Sequence, residues 1–145
     1  MSAGVPAAAG AELPRRVVGP LAQTDVLRFA GACGDFNPLH HDRAVAARAG
    51  FAAPVAMGQM TAGIVAAWIT DWCGVERLRD LEVRFLAPVL VGDTLTLTGG
   101  VESDEDGRGT APLAVEGSTG DTVVLTARAV IGPTPAPETT ERSRT

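Results

Sequence analysis

The segment QMTAGIVAAWITDWCG, residues 59–74, constrains the chain most. It is apolar nearly all round, with small residues scattered through it. A helix of that kind is normally wrapped by neighbours on several sides. The sequence after it can do the wrapping. LEVRFLAPV, DTLTLTGGV, APLAVEGST and TVVLTARAVI are rich in β-branched residues, partly alternating, and separated by Gly and Asp turn signals. They read as antiparallel strands that follow a run of helices, which makes the class α+β. A sheet curled round one long apolar helix uses all these pieces. The longest apolar stretch, MTAGIVAAWI, is too short to span a bilayer.

Upstream, PRRVVGPL predicts a short strand ended by Pro20. QTDVLRFAGACGD predicts a helix. Its Val26, Phe29, Ala30 and Cys33 fall on one apolar face, and Gly34 is its stop. HDRAVAARAG predicts a short helix with Asp42 as N-cap and Gly50 at its end. FAAPVAMG is extended. Residues 1–12 and 133–145 are Ala/Gly/Pro-rich and Pro/Thr-rich and are expected to be disordered. Residues 13–132 form the single domain that 145 residues lead one to expect. ESDEDGRG, between two strands, reads as a hairpin tip.

The formal charge of −5 argues against a nucleic-acid partner, which needs a basic face. Every basic residue is Arg. The absence of Lys excludes Schiff-base and pyridoxal chemistry and the phosphate-binding P-loop. Two cysteines, Cys33 and Cys73, are too few for a disulfide scaffold. The start, MSAGVPAAAGAELP, has no secretory pattern, so the expected setting is cytoplasmic with both thiols reduced.

Both histidines lie together in GDFNPLHHD, residues 34–42. Pro38 disfavours helix at Asn37, so the stretch is an ordered loop. On a regular helix Asp35 and His40 would not face one point; on a Pro-braced turn they can. An imidazole gives or takes a proton near neutral pH, and a carboxylate can orient a water or accept a proton itself. The pair suits acid–base work on one small molecule such as water, with Asn37 holding the turn. The same residue types also suit a plain turn with a capping or surface histidine. A metal site through Asp35, His40, His41 and Asp42 is disfavoured, because adjacent histidines rarely point the same way.

A second feature is APVAMGQMTAG. Gly58 precedes the long helix at its first turn. Free N–H groups and the helix dipole there favour a developing negative charge, and glycine lets a carbonyl come close. Gly58 is thus a candidate oxyanion donor, although such a glycine more often marks an ordinary flexible helix start.

With GDFNPLH complete and a glycine-led helix some twenty residues on, the chain resembles the MaoC-like dehydratases, or R-specific enoyl-CoA hydratases, from about Leu13 to Ile131. LEVRFLAPVLVGD is similar to the family's next strand and Gly-Asp turn. The resemblance implies a hot-dog fold, a curved antiparallel sheet around a central helix. It implies Asp35 and His40 as the catalytic pair on a water that adds to or leaves C3 of a 3-hydroxyacyl/2-enoyl thioester. Gly58 would give its N–H to the thioester carbonyl, and Asn37 would support the loop. It implies no cofactor. The chain departs from the pattern at Met57, where members usually carry His, with Gln59 following, and at Ala66, where some carry Ser.

The acyl chain needs an apolar lining, for which Phe36, Phe51, Met57, Gln59, Met60, Ile64 and Trp68 are candidates, with Phe85. Most such residues at these spacings are also ordinary core. Arg77, Arg79 or Arg84 could meet a pantetheine phosphate. The expected partners are an acyl-CoA or acyl-carrier-protein thioester and a second hot-dog unit, identical or not; a membrane is not expected. Rival readings are a hot-dog thioesterase, a non-catalytic acyl-binding subunit of a heterodimer, and a cyclase of a secondary-metabolite pathway.

Overall fold

The computed structural model describes residues 8–103 and 109–133. Its elements, in chain order, are β1 (Arg16–Val18), α1 (Gln23–Cys33), a 3-10 turn (Pro38–His40), α2 (Arg43–Arg48), α3 (Gly58–Cys73) and a second 3-10 turn (Val75–Arg77). Then come β2 (Leu78–Phe85), β3 (Leu95–Val101), β4 (Ala111–Thr119) and β5 (Thr122–Ile131). The five strands form one antiparallel sheet in the order β1-β3-β4-β5-β2. The expected α+β class is observed, and apart from the short β1 the helices precede the strands.

Period-two burial builds the inner face. Ala111, Leu113 and Val115 of β4 and Leu125, Ala127, Ala129 and Ile131 of β5 are all buried. Leu95, Leu97 and Val101 continue the face on β3. Helix α3 lies in the same core through Met60, Val65, Trp68, Ile69 and Cys73. The wrapping on several sides leaves one row open. Gln59, Gly63, Ala67 and Asp71, one row at i+4 spacing, are exposed. Two of the four are Gly and Ala, which read as apolar yet bury little area, so leaving that row open costs little.

Trp68 is 1% exposed and donates its indole N–H to Pro14 O at 2.8 Å. This ties the chain before β1 to the helix. Residues 8–12, expected to be unstructured, run instead along β3. Gly10 N–H donates to Val101 O at 2.9 Å, Val101 N–H to Ala11 O at 2.8 Å, and Glu12 bridges Gly100. The chain here satisfies a sheet edge that β1, three residues long, leaves open. The rest of that segment, the tail beyond Pro133 and most of the hairpin tip lie outside the described residues.

In α1, Val26 and Ala30 are buried and Phe29 packs against the core, but Cys33 is exposed with Gly31 and Ala32. The last turn of α1 runs past the core. Gly34 then ends the helix at φ 74°, a left-handed conformation that glycine adopts without strain.

Candidate active site

The loop after α1 is built from local hydrogen bonds that its sequence dictates. Asp35 N–H stays on Ala30 O at 3.2 Å, continuing the helix end. Asp35 Oδ1 accepts from Asn37 N–H at 3.3 Å, and Asn37 Oδ1 from Leu39 N–H at 3.0 Å. Each is a side chain bonding the backbone two residues on, the habit of Asp and Asn in turns. Pro38 opens the 3-10 turn, and His40 N–H closes it on Asn37 O at 3.0 Å. Asp42 then caps α2, its Oδ1 accepting from Ala44 and Val45 N–H at 2.8 and 3.1 Å. These two bonds, Val45's the larger effect, hold its carboxyl below the ordinary value.

The turn brings Asp35 Oδ2 to 3.4 Å from His40 Nε2. The other ring nitrogen, Nδ1, lies 2.6 Å from Val55 O. A carbonyl only accepts, so Nδ1 carries the proton. A neutral His40 therefore presents the lone pair of Nε2 toward a carboxylate that also only accepts. Two acceptors side by side are satisfied by a molecule with two O–H groups, or by one proton shared between them. The histidine side chain is 12% exposed and that of Asp35 38%, so access to the pair is from the Asp35 side.

Distant groups fix this loop. Gln23, at the start of α1, donates its amide N–H to His40 O at 2.8 Å. Val55 N–H donates to Leu39 O at 3.1 Å. The segment around Val55 is itself pinned: Ala56 N–H to Val89 O and Val91 N–H to Pro54 O, both 2.8 Å, with Val55 bridging Leu90. The histidine thus hangs on backbone that the segment after β2 holds in place.

Val55 leads directly into Gly58, the first residue of α3. Among the described residues no acceptor takes the Gly58 N–H, as expected for the first turn of a helix. Its carbonyl accepts from Thr61 Oγ1 at 2.9 Å. Val55, Gly58 and Thr61 line an open pocket of about 410 Å³, completed by Phe85, Leu86, Ala87, Pro88 and Val89 and by Val124 and Leu125 of β5. Asp35 and His40 adjoin the pocket through Val55 rather than lining it.

The other expected lining residues are elsewhere. Met57 and Trp68 are 1% exposed and Met60 9%, all in the packed core. Ile64 packs against that core and Phe51 is half-buried, while Gln59 and Phe36 face outward, Phe36 at 69%. None of the seven lines the pocket beside Gly58. The departures at Met57 and Ala66 do not reach it either. Arg77, named for a phosphate, is buried and donates from Nε to Gly132 O at 3.0 Å; the Arg79 side chain also lies against Gly132. Of the three arginines, Arg79 and Arg84 are exposed.

The model for the family described as "MaoC like domain" matches residues 5–123. The chain belongs to the MaoC-like dehydratase family. A relative, the 3-hydroxybutyryl-CoA dehydratase of Methylorubrum extorquens, is 34% identical over 113 residues, 77% of this chain and 72% of the relative. Among solved structures, this MaoC-like chain is similar to one in the ChsH1-ChsH2 complex from Mycobacterium tuberculosis. The TM-score is 0.79 and the identity 26%, covering 88% of this chain and 98% of that one. The (R)-hydratase from A. caviae involved in PHA biosynthesis aligns with TM-score 0.78 and 26% identity over 88% of this chain and 97% of that one. The fold is therefore the hot-dog fold, and this MaoC-like chain is an enzyme of the hydratase/dehydratase class.

Two contributors escaped the sequence reading. Val55 acts through its backbone, which leaves no side-chain signature. Thr61 acts through a hydroxyl three residues after a helix start, a back-bonding pattern that motif spacing alone could have suggested.

Proposed function

We propose that the chain interconverts (3R)-hydroxyacyl and trans-2-enoyl thioesters, carried on CoA or an acyl carrier protein. The observation that supports this most is the Asp35–His40 pair, 3.4 Å apart and with its tautomer set by Val55, joined through that residue to an apolar pocket that begins at Gly58.

In the hydration direction the pair accepts hydrogen bonds from both O–H groups of a water, one of which stays intact as the hydroxyl of the product. The water oxygen adds to C3. The proton it loses and the proton that C2 gains both pass through the Asp35–His40 pair, which ends each turnover in its starting charge state. Negative charge gathers meanwhile on the thioester oxygen, where the Gly58 N–H and the α3 dipole stabilise it; one such donor is worth roughly 3 kcal/mol. Dehydration runs the same steps backward. Asn37 supports the loop, and Val89, Val124 and Leu125 offer the acyl chain apolar surface.

The test is a panel of enoyl and 3-hydroxyacyl thioesters with wild type and Asp35→Asn. The substitution keeps the shape and removes the base, so turnover should drop by about 10²–10⁴-fold. Undiminished hydration by Asp35→Asn would overturn the assignment. Release of free thiol without hydration would point to thioester hydrolysis instead.

A further inference from the structure

One side chain at the pocket has no part in the scheme above. Phe85 closes β2 at the sheet edge, paired with Leu125, and is 51% exposed. Its ring lies on the start of α3. A Cβ built on Gly58 would stand 3.0, 3.1 and 3.4 Å from three carbons of that ring, and these are its three nearest heavy atoms. The ring therefore touches the α-carbon of the residue whose N–H is free. It also lines the pocket with Gly58 and Thr61. In a thioester whose oxygen sits on the Gly58 N–H, C2 is two bonds from that oxygen and would enter the pocket that Phe85 and Gly58 line together. Leu86, next in sequence, is also 51% exposed, so the ring is a wall with solvent behind it and not a wedge in the core.

We infer that Phe85 determines acyl specificity: its ring over Gly58 sets the bulk admitted at C2, so that unbranched acyl groups are taken and α-branched ones refused. The inference rests on the proposed binding of the thioester carbonyl at Gly58. Removing the ring opens space continuous with the apolar pocket. An apolar wall discriminates a single methyl or methylene by roughly 10–200-fold. A truncated wall should lose discrimination of that order.

The experiment compares kcat/KM for crotonyl-CoA and 2-methylcrotonyl-CoA in wild type, Phe85→Ala and Phe85→Leu, with melting temperatures as a folding control. The expected result is a rise of about 10-fold or more in the branched-to-unbranched ratio for Phe85→Ala, with Phe85→Leu between it and wild type. An unchanged ratio, both substrates falling together, would overturn the inference and leave the ring a structural cover. The same ratio is read independently of turnover from calorimetric binding of butyryl-CoA and 2-methylbutyryl-CoA. Wild type that binds but does not hydrate sinks the proposed reaction. A binding ratio unmoved by Phe85→Ala sinks the specificity role.

Discussion

At the scale of single residues, the Asp35–His40 geometry depends on groups that hold the two side chains as much as on the pair itself. Gln23 donates to the backbone carbonyl of His40 at 2.8 Å. Gln23→Ala should lower kcat by roughly 3–30-fold with little change in KM, because a small misplacement of the imidazole weakens the chemical step more than binding. Steady-state kinetics on crotonyl-CoA reads this split. Asp42 gives a pH signature in stability. Its folded-state value is depressed, so its capping contribution is full above the ordinary carboxylate value near 4 and drains as pH falls through the lowered one. The melting temperature of Asp42→Ala should therefore lie below wild type at pH 7, with the gap closing in acid. The thiols differ too: Cys33 is exposed, whereas burial pushes the Cys73 thiol up. A thiol reagent should label one cysteine in the native protein and two after unfolding. The Asp35–His40 turn was legible in the sequence because the bonds that Asp35, Asn37 and the 3-10 turn make within it span two or three residues. Val55 O on His40 Nδ1 spans fifteen and involves a carbonyl that any residue type would supply, so no residue pattern announced it.

At the scale of elements, strand pairing sets the tolerances. A Cβ on Gly99 of β3 would meet Ala114 O of β4 at 2.6 Å. Gly99→Ala should cost about 1–3 kcal/mol by forcing the two strands apart, measurable by urea unfolding. Trp68→Ala should cost about 3–5 kcal/mol, since the ring is buried and its N–H holds Pro14. The α-helices and strands were readable from apolar spacing, β-branched content and turn signals, down to Gly34 and Asp42 as helix boundaries. Of the pocket lining only Gly58 and Phe85 were. Met60 and Trp68 sit on the helix that the sheet covers and Met57 just before it, and apolar spacing does not distinguish core from cavity wall. The residues that do line it, Phe85 to Val89, meet Gly58 only because the chain after β2 folds back to pair with residues 54–56. That juxtaposition is a tertiary fact with no local signal.

At the scale of the whole molecule, β2 is an edge strand of eight residues with nothing paired on its outer side among the described residues. At its end stand Phe85 and Leu86, half exposed beside the pocket. Long unprotected edges invite another chain, and sedimentation should return twice the chain mass for the purified protein, or for a mixture with a second hot-dog subunit. The histidine is tied to the segment that follows this edge strand, since its anchor, Val55 O, belongs to backbone paired with residues 89–91. A saturation scan at codon 55 would therefore find Ile or Thr nearly silent, because every replacement supplies the same oxygen. Proline alone forfeits the amide that grips Leu39. Were catalysis ranked by mutational sensitivity, this carbonyl would go unnoticed while governing which nitrogen of the imidazole is basic.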